Sequence, residues 1–154
     1  MNDHLRSTLR CLRLSGLAGS LDVRLQEAQA SRLSHLEFLE LVLQDEVAVR
    51  DHRKLDRRTK LACFRDLKTI DQFDWEFNAA LPRRQLFELA TCKFLGEARD
   101  ILLIGPPGTG KTHLAQAIGY AAIKQGHTAL YRSIFDVVRD FLQEEALGDD
   151  DATL

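Results

Sequence analysis

Residues 101–112 read ILLIGPPGTGKT, four apolar residues followed by a loop with three glycines and two prolines, and then a lysine and a threonine. A short apolar run such as 101–104 is typical of a strand that is buried on both faces of a parallel sheet. The residues after Lys111, HLAQAIGYAAIKQ, are rich in helix formers. The stretch therefore predicts a strand, a tight loop and a helix in succession.

The spacing of Gly105, Gly110, Lys111 and Thr112 fits a phosphate-binding loop. Glycines permit the positive φ angles at which successive backbone N–H groups converge on an anion, so we expect Gly108 and Gly110 to form the turn. The helix N-terminus favours negative charge. Lys111 would reach the β- and γ-phosphates of ATP, while the Thr112 hydroxyl would bind Mg²⁺. The alternative is a glycine-rich turn without a ligand, which the position of the full motif between a strand and a helix disfavours.

The candidate nucleotide-binding residues are consecutive: Gly105, Pro106, Pro107, Gly108, Thr109, Gly110, Lys111, Thr112 and His113. Of these, Thr112 is also the candidate Mg²⁺ ligand. His113 follows the motif on the first helical turn, where a single histidine by itself indicates no role. The sequence offers no candidate catalytic residue.

Composition places the chain among ordinary globular proteins. It has 154 residues, of which 45% are hydrophobic and 29% charged, about the size of one domain. No apolar run approaches the roughly 18 residues of a membrane span, and the start lacks the apolar core of a signal peptide, so we expect a cytoplasmic protein without membrane contact. Cys11, Cys63 and Cys92 are far apart and lack CxxC spacing, which argues against a zinc site or a disulfide framework.

The first 95 or so residues are predicted to be almost wholly helical, with a break at 16–20 and a further helix over 82–95. Ser34 and Glu37 form a capping box that opens a long helix. An apolar stripe on that helix is expected to be core or a helix-packing face; it consists of Leu36, Leu39, Leu43 and Val47.

Basic residues recur at intervals of three and four on the continuation of this helix: Arg50, Arg53, Lys54, Arg57 and Arg58. With Lys60, and against Asp51 and Asp56, residues 50–60 carry a net charge of +4. Such a row is suited to the phosphate backbone of DNA, which gives affinity without sequence preference. A solvated helix face is an equal alternative on the pattern alone.

Aromatic residues alternate just ahead of the nucleotide motif, at Phe73, Trp75 and Phe77. Packing under the predicted sheet is favoured over contact with a ligand, because aromatic clusters usually belong to the core. After the motif helix, Gly126 is expected to end the helix, residues 128–132 to form a second strand, and Ser133 to cap a last helix. The acidic ending GDDDATL is expected to be a solvated loop.

The predicted fold class is therefore α/β: a helical N-terminal region followed by the first two strand-helix units of a P-loop parallel sheet, incomplete at the C-terminus. Three regions are expected. Residues 1–66 form a helical DNA- or partner-binding region, residues 67–99 an aromatic linker and helix, and residues 100–154 the first part of the ATPase domain.

Four segments together, GPPGTGKTHLAQAIG, LSHLEFLELVLQDE, RRTKLACF and KTIDQFDW, resemble the IstB family of ATP-binding helper proteins of insertion-sequence transposons. That family is similar to the DnaC-type helicase loaders among the AAA+ ATPases, and the resemblance covers nearly the whole chain. It implies an AAA+ domain that binds ATP and Mg²⁺, assembles on DNA as a homo-oligomer and hands target DNA to an IstA-like transposase. Gly105, Gly108, Gly110, Lys111 and Thr112 match the family's phosphate loop.

Several features of the family have no counterpart in these residues: the Walker B acidic pair, the polar sensor and the arginine finger. The resemblance therefore implies an N-terminal fragment. Because an arginine finger alone contributes about 10³ to 10⁵ in rate, we expect little ATP turnover from the chain alone. The alternatives are a DnaC-like helicase loader in DNA replication and a truncated remnant that binds nucleotide or DNA without turnover.

Overall fold

The computed structural model describes residues 2–79 and 81–148, the side chains of 144–148 excepted. The described part contains helices and connecting loops. The helices are α1 (Asp3–Cys11), α2 (Ser15–Ser31), α3 (His35–Leu61), α4 (Arg83–Leu89), α5 (Lys93–Gly96), α6 (Lys111–Lys124) and α7 (Ile134–Gly148). The chain divides into two compact units, unit 1 up to Asp56 and unit 2 from Arg57. The functional boundaries after residues 66 and 99 stay a prediction.

Unit 1 contains α1, α2 and most of α3 around a small apolar core of Leu9, Leu17, Leu21 and Val42. A charged residue, Glu46 on α3, is buried beside this core. Its carboxylate accepts hydrogen bonds from the backbone N–H groups of Gly16 (2.7 Å) and Leu17 (3.0 Å) in the first turn of α2. A third bond of 2.7 Å comes from Arg50 Nε. The carboxylate thus caps the start of α2 from within the fold.

The helix breaks and stripes of unit 1 differ in part from those predicted. The capping box is confirmed, since Ser34 N donates to Glu37 Oε2 (2.7 Å) and Glu37 N to Ser34 Oγ (3.3 Å). The break predicted at 16–20 is wrong, because α2 runs through it and the break lies at 12–14. The predicted apolar stripe of α3 is exposed rather than core, Leu36 for example by 75%; the core face carries Val42 and Glu46 instead.

The core of unit 2 forms around α6, whose buried residues include Leu114, Ala117, Ile118 and Ile123. Leu114 packs in one cluster with Phe73 and Leu86, and this cluster is flanked by partly buried side chains, among them Trp75, Leu81, Leu89 and Leu103. The predicted helix over 82–95 is two short helices, separated where Cys92 has a φ of +57°.

The predicted parallel sheet is wrong for this structure, because no strand occurs within residues 2–79 and 81–148. A strand requires a second segment with which its N–H and C=O groups pair in a ladder, and apolar character alone does not supply one. Residues 101–104 lack such a ladder, and Leu102 and Ile104 are 82% and 84% exposed. In the other predicted strand, Tyr131 N donates to Ala62 O (2.7 Å), just past the end of α3.

The ends of the last two helices agree with the sequence. α6 ends at Lys124, and Gly126 follows with a φ of +95°. Ser133 caps α7, because Asp136 N donates to Ser133 Oγ (3.2 Å) and Ser133 N donates to Asp136 Oδ2 (2.9 Å). Residues 149–154, most of the acidic ending, lie outside the described residues. No helix of the described part combines the length and apolar character needed to cross a membrane.

Candidate functional site: the loop before α6

The loop that leads into α6 turns at glycines. Gly108 has a φ of +78° and Gly110 a φ of +85°, values in the left-handed region that other residues rarely adopt. Gly110 is the N-cap residue of α6. The two glycines that the sequence singled out for the turn are therefore the residues at which the backbone needs them.

The start of α6 carries free backbone donors. Leu114 N makes the first bond of the helix, to Gly110 O (3.0 Å). The N–H groups of Lys111, Thr112 and His113 have no acceptor among the residues that the structure describes. Unpaired N–H groups give a helix N-terminus a partial positive charge, so this turn is suited to an anion.

Lys111 adds a full positive charge to the loop. Its ammonium group donates to Pro106 O (2.6 Å) and lies 3.4 Å from Thr109 Oγ1, which itself donates to Pro106 O (3.0 Å). The side chain thus folds back across the loop. The Thr112 side chain is exposed, so its hydroxyl is accessible from solvent.

Two cavities adjoin these groups. One of about 400 Å³ is lined by residues 107–113 alone. Another of about 430 Å³ also has Lys111 in its lining, together with Gly105, Thr109 and Asp100. A larger cavity of about 630 Å³ lies on the exposed face of α3 in unit 1, but its lining is apolar apart from Glu40 and Gln44 and offers a phosphate no positive charge.

The residues fit a magnesium ion only in company with phosphate. No cluster of three or more His, Cys, Asp or Glu side chains suitable for a metal occurs in the described part of the chain. Magnesium in proteins is commonly held by one or two protein oxygens, substrate phosphates and water. The Thr112 hydroxyl is suited to that arrangement and not to a site formed by protein alone.

Comparison with known proteins gives this loop a context. Residues 7–154 match the family described as IstB-like ATP binding protein. The chain belongs to this family. It is 41% identical over 122 residues to a protein of Mycobacterium tuberculosis described as an ATP-binding protein in an insertion sequence, and 36% identical over 127 residues to the IS21 ATP-binding protein of Pseudomonas aeruginosa.

These matches cover 79% and 82% of this chain but 49% and 48% of the two relatives. A protein of Geobacillus stearothermophilus from insertion sequence IS5376, also described as ATP-binding, is 30% identical over 96% of the chain and 59% of its own length. The IstB-like chain thus spans about half the length of the curated relatives that it matches.

The structure also brings the aromatic segment to the loop. The Phe73 ring lies against Gly110, so closely that a Cβ atom on this glycine would stand 2.6 Å from Phe73 Cε2. His113 Nε2 lies 3.0 Å from Thr69 O, and its ring stands perpendicular to that of Phe73 at 5.1 Å between centroids. The expectation that the alternating aromatic residues pack under a sheet is wrong, because the described residues form none. Phe73 is buried with Leu86 and Leu114 instead, Phe77 is 67% exposed, and nothing in the spacing indicated contact with the loop.

The basic residues of α3 are not equally available. Arg50 donates to Glu46 (2.7 Å), Arg53 Nη1 to Ser15 Oγ (2.6 Å), and Lys54 Nζ to Asp51 (3.2 Å). Arg57 in unit 2 is exposed and has no hydrogen-bond or ion-pair partner within the described residues, whereas Arg58 is partly buried near Gly126. The structure therefore distinguishes residues that the sequence treats alike.

Proposed function

We propose that this IstB-like chain binds ATP with Mg²⁺ through loop 105–112 and serves as an ATP-binding helper in DNA transposition. The observation that carries the ATP site is the set of N–H groups at Lys111, Thr112 and His113 that have no acceptor within the described residues, in the same turn as the Lys111 side chain. A turn of this kind at a helix N-terminus, with a lysine, matches the chemistry of a phosphate group.

Binding would require a small rearrangement. Lys111 would exchange the carbonyl oxygen of Pro106 for a phosphate oxygen, which is a stronger acceptor because it is charged. The backbone donors of α6 would bond the same phosphate group, and Thr112 would complete the coordination of Mg²⁺. Since Gly108 and Gly110 already have the positive φ angles that the loop needs, only small shifts of its backbone are required.

The test is isothermal titration calorimetry of the chain with ATP and Mg²⁺. Lys111→Ala should weaken binding at least tenfold, since a hydrogen bond to a charged group contributes about 1.5 to 3 kcal/mol. Lys124→Ala is the matched control, because it removes the same charge from the exposed far end of the same helix. Equal affinity of both variants and the wild type would refute the site.

The transposition role is supported by the relatives, all three of which are described as belonging to insertion sequences. This context favours transposition over the alternative of helicase loading in replication. The partners proposed are DNA, an IstA-like transposase and further copies of the chain. Co-purification with the transposase of the same element, with and without ATP, checks the role; capture of a replicative helicase instead would favour the alternative.

A second proposal concerns DNA. We propose that the basic residues of α3 contact DNA phosphates and that Arg57 is the principal one, because its guanidinium has no partner in the described part of the chain. Arg50, Arg53 and Lys54 would first have to give up bonds within unit 1. We therefore expect fewer phosphates to be neutralised than the five basic residues suggest.

A salt titration of duplex binding by fluorescence anisotropy tests this proposal. Each neutralised phosphate contributes about −0.9 to the slope of log K against log[salt], so Arg57→Ala should reduce the slope by about that amount. Arg84→Ala removes an exposed arginine from α4 and is the control. If Arg57→Ala binds with unchanged slope and affinity, the α3 residues are a solvated face.

A further inference from the structure

Phe73 occupies an unusual place for a core residue. It is 7% exposed and belongs to the cluster with Leu86 and Leu114, yet one edge of its ring lies against the backbone of Gly110. Two ring atoms, Cε2 and Cζ, would stand within 2.8 Å of a Cβ placed there. By contrast, a Cβ at Gly108 would have no neighbour within 4 Å. The loop is therefore supported at its helix end and open at its tip.

The same ring touches the first turn of α6. His113 stands edge-on to Phe73 at 5.1 Å, and its Nε2 is 3.0 Å from Thr69 O. The short segment from Thr69 to Phe73 thus holds the N-cap residue and the third residue of α6. Between these two points lie the N–H groups of Lys111 and Thr112, which have no acceptor within the described part of the chain.

We propose that Phe73 is a positioning residue of the phosphate loop: its ring fixes the backbone at Gly110, and with it the direction of the N–H groups that bind phosphate. This inference rests on the proposed ATP site. Hydrogen bonds weaken steeply as donor and acceptor lose alignment, so a small rotation at the N-cap changes affinity without unfolding the protein.

Phe73→Leu separates this role from a contribution to the core. Leucine keeps an apolar side chain against Leu86 and Leu114 but lacks the ring atoms that meet Gly110. We expect the dissociation constant for ATP to rise about tenfold, the equivalent of one lost hydrogen bond to a charged group. Phe73→Met, whose unbranched chain reaches further and fills irregular gaps, should recover part of the affinity.

Trp75 supplies a spectroscopic signature. It is the chain's single tryptophan, and its ring lies edge-on to Phe73 at 4.9 Å between centroids. The Phe73 ring contacts both Gly110 and Trp75, so we expect small shifts of the loop on ATP binding to change the emission of Trp75 on titration with unlabelled ATP and Mg²⁺. In Phe73→Leu this change should be lost even at saturating ATP, whereas a variant that trims a buried side chain away from the loop should retain it.

The experiment combines calorimetry and Trp75 emission on the wild type, Phe73→Leu, Phe73→Met, Lys111→Ala and Ile123→Val. Ile123→Val is the control, since it also trims a buried side chain of unit 2 but lies in the last turn of α6. It should bind ATP as the wild type does. The inference predicts weak binding and no emission change for Phe73→Leu, with intermediate affinity for Phe73→Met.

The outcomes distinguish the two proposals. If the wild type binds ATP, Lys111→Ala does not, and both Phe73 variants behave as the wild type, the ATP site stands and the role of Phe73 is refuted. If the wild type does not bind ATP, both fall. Should Phe73→Leu fail to fold by circular dichroism, Phe73→Met decides, because equal affinity to the wild type would by itself refute the inference.

Discussion

The N-termini of α2 and α6 present the same backbone chemistry with opposite outcomes. In unit 1, the N–H groups of Gly16 and Leu17 bond a carboxylate of the chain itself, that of Glu46. In unit 2, the N–H groups of Lys111 to His113 have no acceptor within the described residues and stand beside a lysine. One turn is satisfied by an internal anion, and the other retains its capacity for an external one.

The difference shows that the charge placed at a helix N-terminus decides whether its N–H groups stabilise the fold or remain available to a ligand. Burial by itself raises the pKa of Glu46, but the hydrogen bond from Arg50 and those from the Leu17 and Gly16 amides outweigh it, so the net pKa is lowered. The fold therefore holds this anion in its charged form. At α6 the first turn itself carries a lysine, Lys111, so the same dipole favours an anionic ligand.

The largest effect is expected from removal of the internal anion. Glu46→Ala leaves two buried N–H groups without an acceptor and should lower the free energy of unfolding of unit 1 by about 2 to 3 kcal/mol. Urea denaturation followed by circular dichroism measures the loss in free energy of unfolding. Hydrogen exchange of the amides at Gly16 and Leu17 shows whether this loss arises at the start of α2. Glu40→Ala, which removes an exposed carboxylate of the same helix, should change little. Unchanged exchange at Gly16 in Glu46→Ala would contradict the comparison.

A smaller effect should follow from protonation of the same anion. Because the pKa of Glu46 is lowered in the folded state, its contribution to stability is present above the ordinary glutamate pKa of about 4.3 and is lost as the pH falls through the folded value. Hydrogen bonds from Arg24, and to a lesser extent from Ser20, lower the pKa of the adjacent residue Asp45 to about 2. Protonation of Asp45 therefore also lowers the stability of the fold as the pH falls.

Urea midpoints measured from pH 7 to pH 2.5 check this sign. The wild type should lose stability below about pH 4.3, and Glu46→Gln/Asp45→Asn should lose less over that range. Some slope should remain, since bonds from Ser34 and Ser133 lower the pKa values of Glu37 and Asp136 as well. A double variant with the full wild-type slope would show that these carboxylates do not govern acid stability.

Local signals were readable from the sequence where neighbours along the chain decide them. The Ser34–Glu37 and Ser133–Asp136 caps, the stop at Gly126 and the turn at Gly108 and Gly110 each depend on a few adjacent residues, and the structure has all of them. The family assignment made from the loop and its flanking segments is likewise confirmed.

Features that depend on distant partners were not readable. Residues 101–104 have the composition of a strand but no pairing partner in the described part, so the sheet was wrong. The polar pattern of α3 gave no sign that Glu46 would be buried under α2, nor that Arg50 and Arg53 would be engaged within unit 1. The sequence predicted a helix break at Gly16 because glycine is a poor helix former. Its place in α2 is explained by its close contact with Glu46, thirty residues away in the sequence.

An internal anion can also be introduced at α6, which would make its N-terminus resemble that of α2. Thr112 is the second residue of this helix and is exposed. Thr112→Glu should stabilise the helix by about 0.3 to 1 kcal/mol through its dipole. It should also weaken ATP binding at least tenfold, because the new charge repels phosphate and the hydroxyl is gone. Calorimetry with ATP and thermal denaturation measure the two effects.

Thr112→Gln is the matched control for Thr112→Glu, since glutamine has nearly the same shape as glutamate but no charge. It should lose the effect of Mg²⁺ on affinity but gain none of the dipole stabilisation. If Thr112→Glu bound ATP as tightly as Thr112→Gln, the electrostatic account of the α6 N-terminus would be wrong.

Opposite effects are expected at two glycines that lie three residues apart on α2. A Cβ at Gly19 would have no neighbour within 4 Å, so Gly19→Ala should stabilise unit 1 by about 0.5 to 1 kcal/mol through helix propensity alone. A Cβ at Gly16 would stand 2.9 Å from Glu46 Cα, a backbone atom, so Gly16→Ala should destabilise the unit by forcing the start of α2 away from its carboxylate. Neither variant should alter ATP affinity, because both lie in unit 1. Urea midpoints of the two variants test the pair, and stabilisation by both would mean that the close approach of α2 to Glu46 is not what requires glycine at position 16.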